Sequence, residues 1–180
     1  CRKNTKKYRQ MIKAILACDS QGGVGKDNNL PWPPNAKDLK HFKQITSGHT
    51  VVMGSKTWMS SMPTPLPNRK NVVVTRNPNF EAKGATLLTN NISQGLTTLA
   101  QSSIVFVIGG ANLFAEVIND ISFLHLTRIA GNYDCDTFID LDVLYKTFVK
   151  IDSVEIDNMT KIETYVARNL LHDIYLSTNI

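Results

Sequence analysis

Asp38 stands at the start of an amphipathic stretch, beside Leu39 and one turn before Phe42. A carboxylate there has two possible roles. It can cap a helix, or it can stand partly buried and accept two parallel hydrogen bonds from an amidine-like edge of a ligand. Gly109-Gly110 follows an apolar β-branched run and precedes apolar residues at helical spacing. Two glycines let a phosphate approach the backbone, and the first amides of the next helix can bind it. Gly54-Ser55-Lys56-Thr57 offers a second strand-to-helix turn, with hydroxyls and an ammonium suited to another phosphate. Either site can equally be an ordinary turn. Gly22 to Lys26 fails as a Walker loop, because Ser20 replaces the leading glycine and Asp27 replaces the hydroxyl residue after Lys26.

The elements that must position these residues alternate. Strands are expected at 12–18, 51–53, 71–75, 85–88, 104–108 and 123–129, each rich in β-branched or apolar residues between turn signals. Residues 147–156 and 162–169 read as a closing hairpin. Helices are expected at 38–46, with Leu39, Phe42 and Ile45 on one face, and as a short segment within 54–61. Two more are expected, one after a Ser93 cap with Leu96, Leu99 and Ala100, and one over Leu113 to Ile118. Residues 19–36, rich in glycine, asparagine and proline, form a long loop of the kind that is usually functional. The fold class is therefore α/β. It has one domain with a mostly parallel sheet of about eight strands, an antiparallel C-terminal edge hairpin and about four flanking helices.

The 180 residues, 42% hydrophobic, suit one soluble globular domain and exclude whole-chain disorder. No uninterrupted apolar run is long enough for a transmembrane helix, so no membrane partner is expected. The net charge of +5 equals the charge of residues 1–10 alone, which hold Arg2, Lys3, Lys6, Lys7 and Arg9 and no acid. The arm reads as a solvated extension, with nucleic-acid or protein contact as the sharper alternative. Residues 37–83 are basic, as suits an anionic ligand, and residues 134–173 are acidic. Three cysteines without a Cys-x-x-Cys spacing argue for a reducing compartment, hence the cytoplasm. Lys13 breaks the run before Leu16-Ala17-Cys18, so that segment reads as a buried strand, not a signal peptide. The four histidines show no metal-ligand spacing, and no metal is expected.

Taken together, the motifs resemble dihydrofolate reductase. The match runs over residues 11–169 in order and spacing. It includes Val24-Gly25, Leu30-Pro31-Trp32, Asp38-Leu39-x-x-Phe42-Lys43 and Val52-Met53-Gly54-Ser55-Lys56-Thr57-Trp58. Leu66-Pro67-Asn68-Arg69-Lys70-Asn71, Ile108-Gly109-Gly110 and Leu126-Thr127-Arg128-Ile129 complete it. Residues 1–10 and 170–180 then form an N-terminal extension and a C-terminal tail.

The resemblance implies NADPH-dependent reduction of 7,8-dihydrofolate to tetrahydrofolate, with hydride passing to pterin C6 and a proton to N5, in support of one-carbon metabolism and thymidylate synthesis. By the same resemblance Asp38 holds the pterin, Thr127 bonds both that carboxylate and the pterin amino group, and Trp32 anchors a water. Ile15, Leu39, Phe42, Met62, Leu66 and Ile108 line the substrate path, and Arg69 pairs with the glutamate α-carboxylate. The cofactor falls to Ala17, Val24, Gly25 and Leu30 at the nicotinamide. Gly54, Ser55, Lys56 and Thr57 take the phosphates from one side, and Gly109, Gly110, Ala111, Asn112, Leu113 and Phe114 from the other. Thr75 and Arg76 take the 2′-phosphate, which favours NADPH over NADH. The partners implied are dihydrofolate and antifolate inhibitors, and the chain is expected to be a monomer. Several positions depart from the family. Ser55 stands where many members have arginine, Ala111 where a third glycine often occurs, Pro33-Pro34-Asn35 adds residues, and Cys135 replaces a frequent glycine in a remote loop that influences closure. A related pyrimidine or pteridine reductase is a weaker reading, because Asp38, Phe42 and Arg69 together suit a glutamylated pterin. A nucleic-acid-binding role would rest on the basic arm alone.

Overall fold

The structure is a computed structural model and describes residues 11–172. In chain order the elements are β1 (Ile12–Cys18), β2 (Gly23–Gly25), α1 (Ala36–Thr46), β3 (Thr50–Gly54), α2 (Ser55–Trp58), β4 (Lys70–Val74) and β5 (Ala85–Leu88). They continue with α3 (Ile92–Ala100), β6 (Val105–Val107), α4 (Ala111–Val117), β7 (Phe123–Ile129), β8 (Thr137–Phe138), α5 (Leu141–Thr147), β9 (Phe148–Asp157) and β10 (Thr160–Ala167). A 3₁₀ turn at Ile118–Asp120 extends α4.

Eight strands make one sheet in the order β5-β4-β3-β6-β1-β7-β10-β9. The pairs from β5 through β7 are parallel, and β10 joins both β7 and β9 antiparallel. This is the expected α/β sheet with its antiparallel edge. Its central strands are buried on both faces, which is why they read as apolar runs rather than alternating ones. Val51, Val52 and Met53 are wholly buried, and each such side chain is worth roughly 1.5–3 kcal/mol of transfer free energy.

The sheet separates two cores. On one face Ala14, Cys18, Val107, Leu124 and Leu126 pack with Leu96 of α3, Leu113, Phe114 and Val117 of α4 and Leu144 of α5. On the other face Ile15, Val51, Met53, Val73 and Phe106 pack with Phe42 and Ile45 of α1 and Trp58 of α2.

Four local expectations change. Helix α1 begins before Asp38, and its cap is Asn35, whose Oδ1 accepts the N–H groups of Lys37 at 3.0 Å and Asp38 at 3.1 Å. The cap of α3 is Asn91, held in the left-handed region at φ 44°, a conformation asparagine tolerates. Ser93 lies inside that helix and donates instead to Asp120 at 2.7 Å. There is a fifth helix, α5, capped by Asp140 through the Val143 N–H. A small second sheet pairs β2 with β8.

Candidate active site

The carboxyl ends of β3, β6, β1 and β7 lie side by side, and in an α/β sheet that is where ligands bind. Ala17 on β1 and Thr127 on β7 are register partners, as are Ile15 and His125. Across from them α1 presents Asp38, partly buried. The Thr127 hydroxyl donates to Asp38 Oδ1 at 2.6 Å. Among the described residues no group donates to Oδ2. Asp38 is therefore not the helix cap but an anion with one oxygen tied to the sheet and the other uncommitted.

Around this pair the structure gathers Phe42, Met62, Leu66 and Ile108 with Ile15 in the smaller core. Leu39 is 52% exposed and Leu30 58% exposed, so both lie at the mouth rather than in the floor. Trp32 is buried and meets the edge of Tyr133 with ring centroids 5.8 Å apart. Arg69 donates from Nη1 to Thr46 Oγ1 at 3.0 Å and from Nε to the Pro67 carbonyl at 2.9 Å, and its guanidinium lies 5.8 Å from the Phe42 ring centre. Asn71, buried, fixes the turn that carries Leu66 and Arg69. It accepts from the Leu66 N–H and donates to the carbonyls of Leu66 and Arg69.

The second half of the site is built from the glycine turns. The Gly54 N–H donates to the Gly109 carbonyl at 2.9 Å, so the two turns abut. Gly109 holds φ +127°, which a side chain would strain. A Cβ added at Gly109 or Gly110 would find only the Thr57 hydroxyl and the Leu16 tip at 3.5–3.9 Å, so the space over these glycines is open. Neither α2 nor α4 has a side-chain cap on its first amides. Lys56 and Arg76 are exposed, and neither forms an ion pair among the described residues. Open glycines, uncapped amides and uncommitted cations fit a dinucleotide pyrophosphate. Thr57 borders that space, Ser55 opens α2, Thr75 follows β4, and Ala111 and Asn112 open α4. The side chains of Leu113 and Phe114, further along α4, are buried in the larger core, and the Phe114 N–H is taken by the Gly110 carbonyl.

Residues 22–30 bridge the two halves. Val24 and Gly25 belong to β2, which is paired with β8. Beyond them the Asp27 N–H donates to Asp136 at 2.8 Å, Lys26 pairs with Asp134 at 2.7 Å, Asn28 donates to the Lys56 carbonyl at 2.8 Å, and the Ser61 N–H donates to Asn29 at 3.0 Å. Cys135 is not remote from this loop. Its side chain fills the place of a Cβ on Gly23.

Beneath α1, His41 and His125 face each other with ring centroids 6.1 Å apart. Burial, then the Lys13 ammonium, then His41 push the His125 imidazole down to about 4. An unfolded histidine titrates near 6.5, so between those values the unfolded chain holds a proton that the folded chain does not. Stability therefore falls as pH drops through that window. His125→Gln is expected to reduce the loss of unfolding free energy between pH 7.5 and 5 by on the order of 1 kcal/mol once solvent screening is allowed for. Urea titrations of both proteins at the two pH values measure it, and an unchanged difference would refute the burial of a neutral His125.

A cavity of about 660 Å³ opens on the opposite sheet face, by Arg128, Tyr145, Lys161, Glu163 and Tyr165. Its buried carboxylate is already satisfied. Burial works against the Glu163 charge, but the Tyr165 hydroxyl at 2.6 Å and the ammoniums of Lys161 and Lys150 outweigh it and hold the group below the usual range.

Asn35, Asn71 and Asp19 support the candidate site without belonging to any of its sequence motifs as ligand contacts. Asn35 both caps α1 and donates to Asp157 at 2.7 Å, which ties the start of the helix to the β9–β10 turn. Asn35→Ala is expected to cost about 1 kcal/mol of stability and, by loosening the turn that carries Asp38, to lower kcat severalfold. Thermal melts and steady-state rates check it, and wild-type values for both would remove Asn35 from the site.

A flat heterocycle on Asp38 and a dinucleotide on the glycine turns would meet over Ala17 and Ile108, the layout of a two-substrate reductase. Comparison with known proteins identifies which one. A family model described as dihydrofolate reductase matches residues 11–169. The dihydrofolate reductase of Bacillus subtilis is 42% identical over 127 residues, 70% of this chain and 73% of that one. The type 8 dihydrofolate reductase of Escherichia coli is 36% identical over 144 residues, 76% and 85% of the two chains. Dihydrofolate reductase from Enterococcus faecalis, solved in complex with NADP(H) and RAB-propyl, superposes with a TM-score of 0.77 at 33% identity, covering 89% of this chain and 98% of that one. The chain belongs to the dihydrofolate reductase family. Its activity is the NADPH-dependent reduction of dihydrofolate to tetrahydrofolate.

Proposed function

We propose that Asp38 and Thr127 hold the pterin of 7,8-dihydrofolate while the cleft delivers hydride to C6 and a proton to N5. The observation that carries this reading is the 2.6 Å hydrogen bond from Thr127 to Asp38. It orients the carboxylate and leaves the Thr127 oxygen and Asp38 Oδ2 for the donors of the pterin edge. A polar heterocycle entering an apolar pocket must keep those donors paired.

Ile15 and Phe42 sandwich the ring, Met62 and Leu66 line the benzoyl path, and Leu39 covers it at the mouth. Arg69, already held by Thr46 and Pro67, takes the glutamate α-carboxylate with its guanidinium fork. Trp32 anchors the water through which Asp38 passes a proton toward N5.

When bound, NADPH supplies the hydride. Ala17 and Ile108 flank the nicotinamide, and Val24, Gly25 and Leu30 close over it and exclude water. Gly54, Ser55, Lys56 and Thr57 hold the phosphates from one side, and Gly109, Gly110, Ala111 and Asn112 from the other. Thr75 and Arg76 take the 2′-phosphate. Antifolates with an amidine-like edge compete for Asp38.

The working unit is residues 11–169, acting as a monomer in the cytoplasm, a setting that the free thiols of Cys18 and Cys135 suit. No helix among the described residues is long and apolar enough to cross a membrane. Residues 1–10 and most of the C-terminal tail lie outside the described residues.

Mixing the protein with NADPH and dihydrofolate tests the reading. Nicotinamide absorbance should fall, and a diaminopyrimidine antifolate should stop it. Antifolate-insensitive oxidation by folded, NADPH-binding protein would refute this placement of the pterin.

A further inference from the structure

Asp19 directly follows β1 and is wholly buried, yet it takes no part in the contacts assigned to substrate or cofactor. One carboxylate oxygen accepts the N–H groups of Gln21 and Gly23, both at 2.8 Å. The other accepts the Tyr133 N–H at 3.1 Å and lies 3.5 Å from Cys135 Sγ. The Asp19 N–H itself donates to the Gly23 carbonyl at 2.8 Å. A single buried anion thus ties the start of the 22–30 loop to the loop after β7.

Both sides of this clasp lead to the site. Gly23 opens β2, and a Cβ there would lie 2.5 Å from Cys135 Sγ and 3.0 Å from Asp19 Cγ. The two loops therefore nest only because position 23 has no side chain. Tyr133, held by its N–H, sets its ring edge against Trp32. We infer that Asp19 is a positioning residue for hydride transfer, fixing the 22–30 loop through Gly23 and the Trp32 ring through Tyr133. This rests on the roles proposed above for Trp32 and for the loop.

Backbone bonds also join these loops, from the Asp136 N–H to the Gly25 carbonyl at 3.0 Å and from the Ile139 N–H to the Gly22 carbonyl at 2.9 Å, beside the β2–β8 pairing. Among the side-chain ties, Lys26–Asp134 and the Asp27–Asp136 bond are exposed to water, which screens the charges. Asp19 is buried, and hydrogen bonds to a buried charge are the strong ones. Burial alone would raise its carboxyl, but the N–H groups of Tyr133, Gly23 and Gln21 outweigh that and hold it below the ordinary range.

Asp19→Asn separates the two arms. Its amide oxygen can still accept from Gln21 and Gly23, while its NH₂ faces the Tyr133 N–H and cannot. In single turnover the folded variant should transfer hydride about tenfold more slowly, with the dihydrofolate Kd within about twofold, since misplacement by an ångström is felt in the chemical step. Trp32 emission should change too, read in a Trp58→Phe background where Trp32 is the remaining tryptophan of two. A merely structural role would lower the melting temperature and leave the hydride rate and Trp32 emission of the folded protein at wild-type values. That result overturns the inference.

Gly23→Ala gives an independent arm should Asp19→Asn not fold. It should slow hydride transfer in the same way, and adding Cys135→Gly should recover at least about threefold, because the residues are in direct contact and couple. No recovery overturns the nesting. A wild-type protein that transfers no hydride counts instead against the functional reading, and the Trp32 emission then decides on Asp19 alone.

Discussion

Asp38→Asn should fold, bind NADPH as the wild type does, and lose about 10²- to 10⁴-fold in kcat at neutral pH, the range that a positioned acid–base group supplies. The asparagine oxygen can still accept from Thr127, so the tie between α1 and β7 survives and the melting temperature should move little. What is lost is the second anionic oxygen. On the proposed placement, the paired hydrogen bonds to the pterin edge and the route of the proton to N5 would go with it. The effect should therefore fall on kcat more than on cofactor affinity. Stopped-flow and steady-state rates with NADPH titrations measure both. Turnover within a few-fold of wild type would remove Asp38 from its role.

Arg76→Ala should weaken NADPH about tenfold or more while changing NADH affinity by less than about threefold. A charged hydrogen bond to a phosphate is worth roughly 1.5–3 kcal/mol, and the exposure of Arg76 argues for the lower end. Ser55 offers no cation in compensation, so on the proposed placement the 2′-phosphate would depend on Arg76, with Lys56 as a further cation in the turn. Parallel titrations with the two dinucleotides give the ratio. Equal losses for both would place Arg76 elsewhere than at the 2′-phosphate.

The strands were legible because they are long apolar runs between turn signals. Those at 12–18, 85–88 and 123–129 have the expected bounds. Helix α5 was not, since its seven residues bury only Leu144, too little for a periodic stripe. The β2–β8 ladder was also invisible, because a Gly-Val-Gly strand has no pattern of its own and exists only through register with Thr137 and Phe138.

The candidate site divides in the same way. Glycine turns and the acidic start of α1 are local signals, and both lie where the spacing put them. The two roles open to Asp38 were separated by a hydrogen bond across 89 residues, beyond the reach of any local pattern. Asn35 took the cap because two prolines precede it and the helix starts earlier than its apolar stripe. Asp19 carried a signal that was there to be read. An aspartate at a strand end, just before Gly22-Gly23, is a side chain placed to accept from the turn that follows.

On the proposed placement of substrate and cofactor, this cleft sets a nicotinamide against pterin C6. Single-turnover reduction of dihydrofolate with C4-deuterated NADPH, followed by magnetic resonance of the product, tests it most directly. One deuterium is expected at C6 of tetrahydrofolate and a solvent proton at N5. Deuterium at another carbon, or its loss to water, would contradict it.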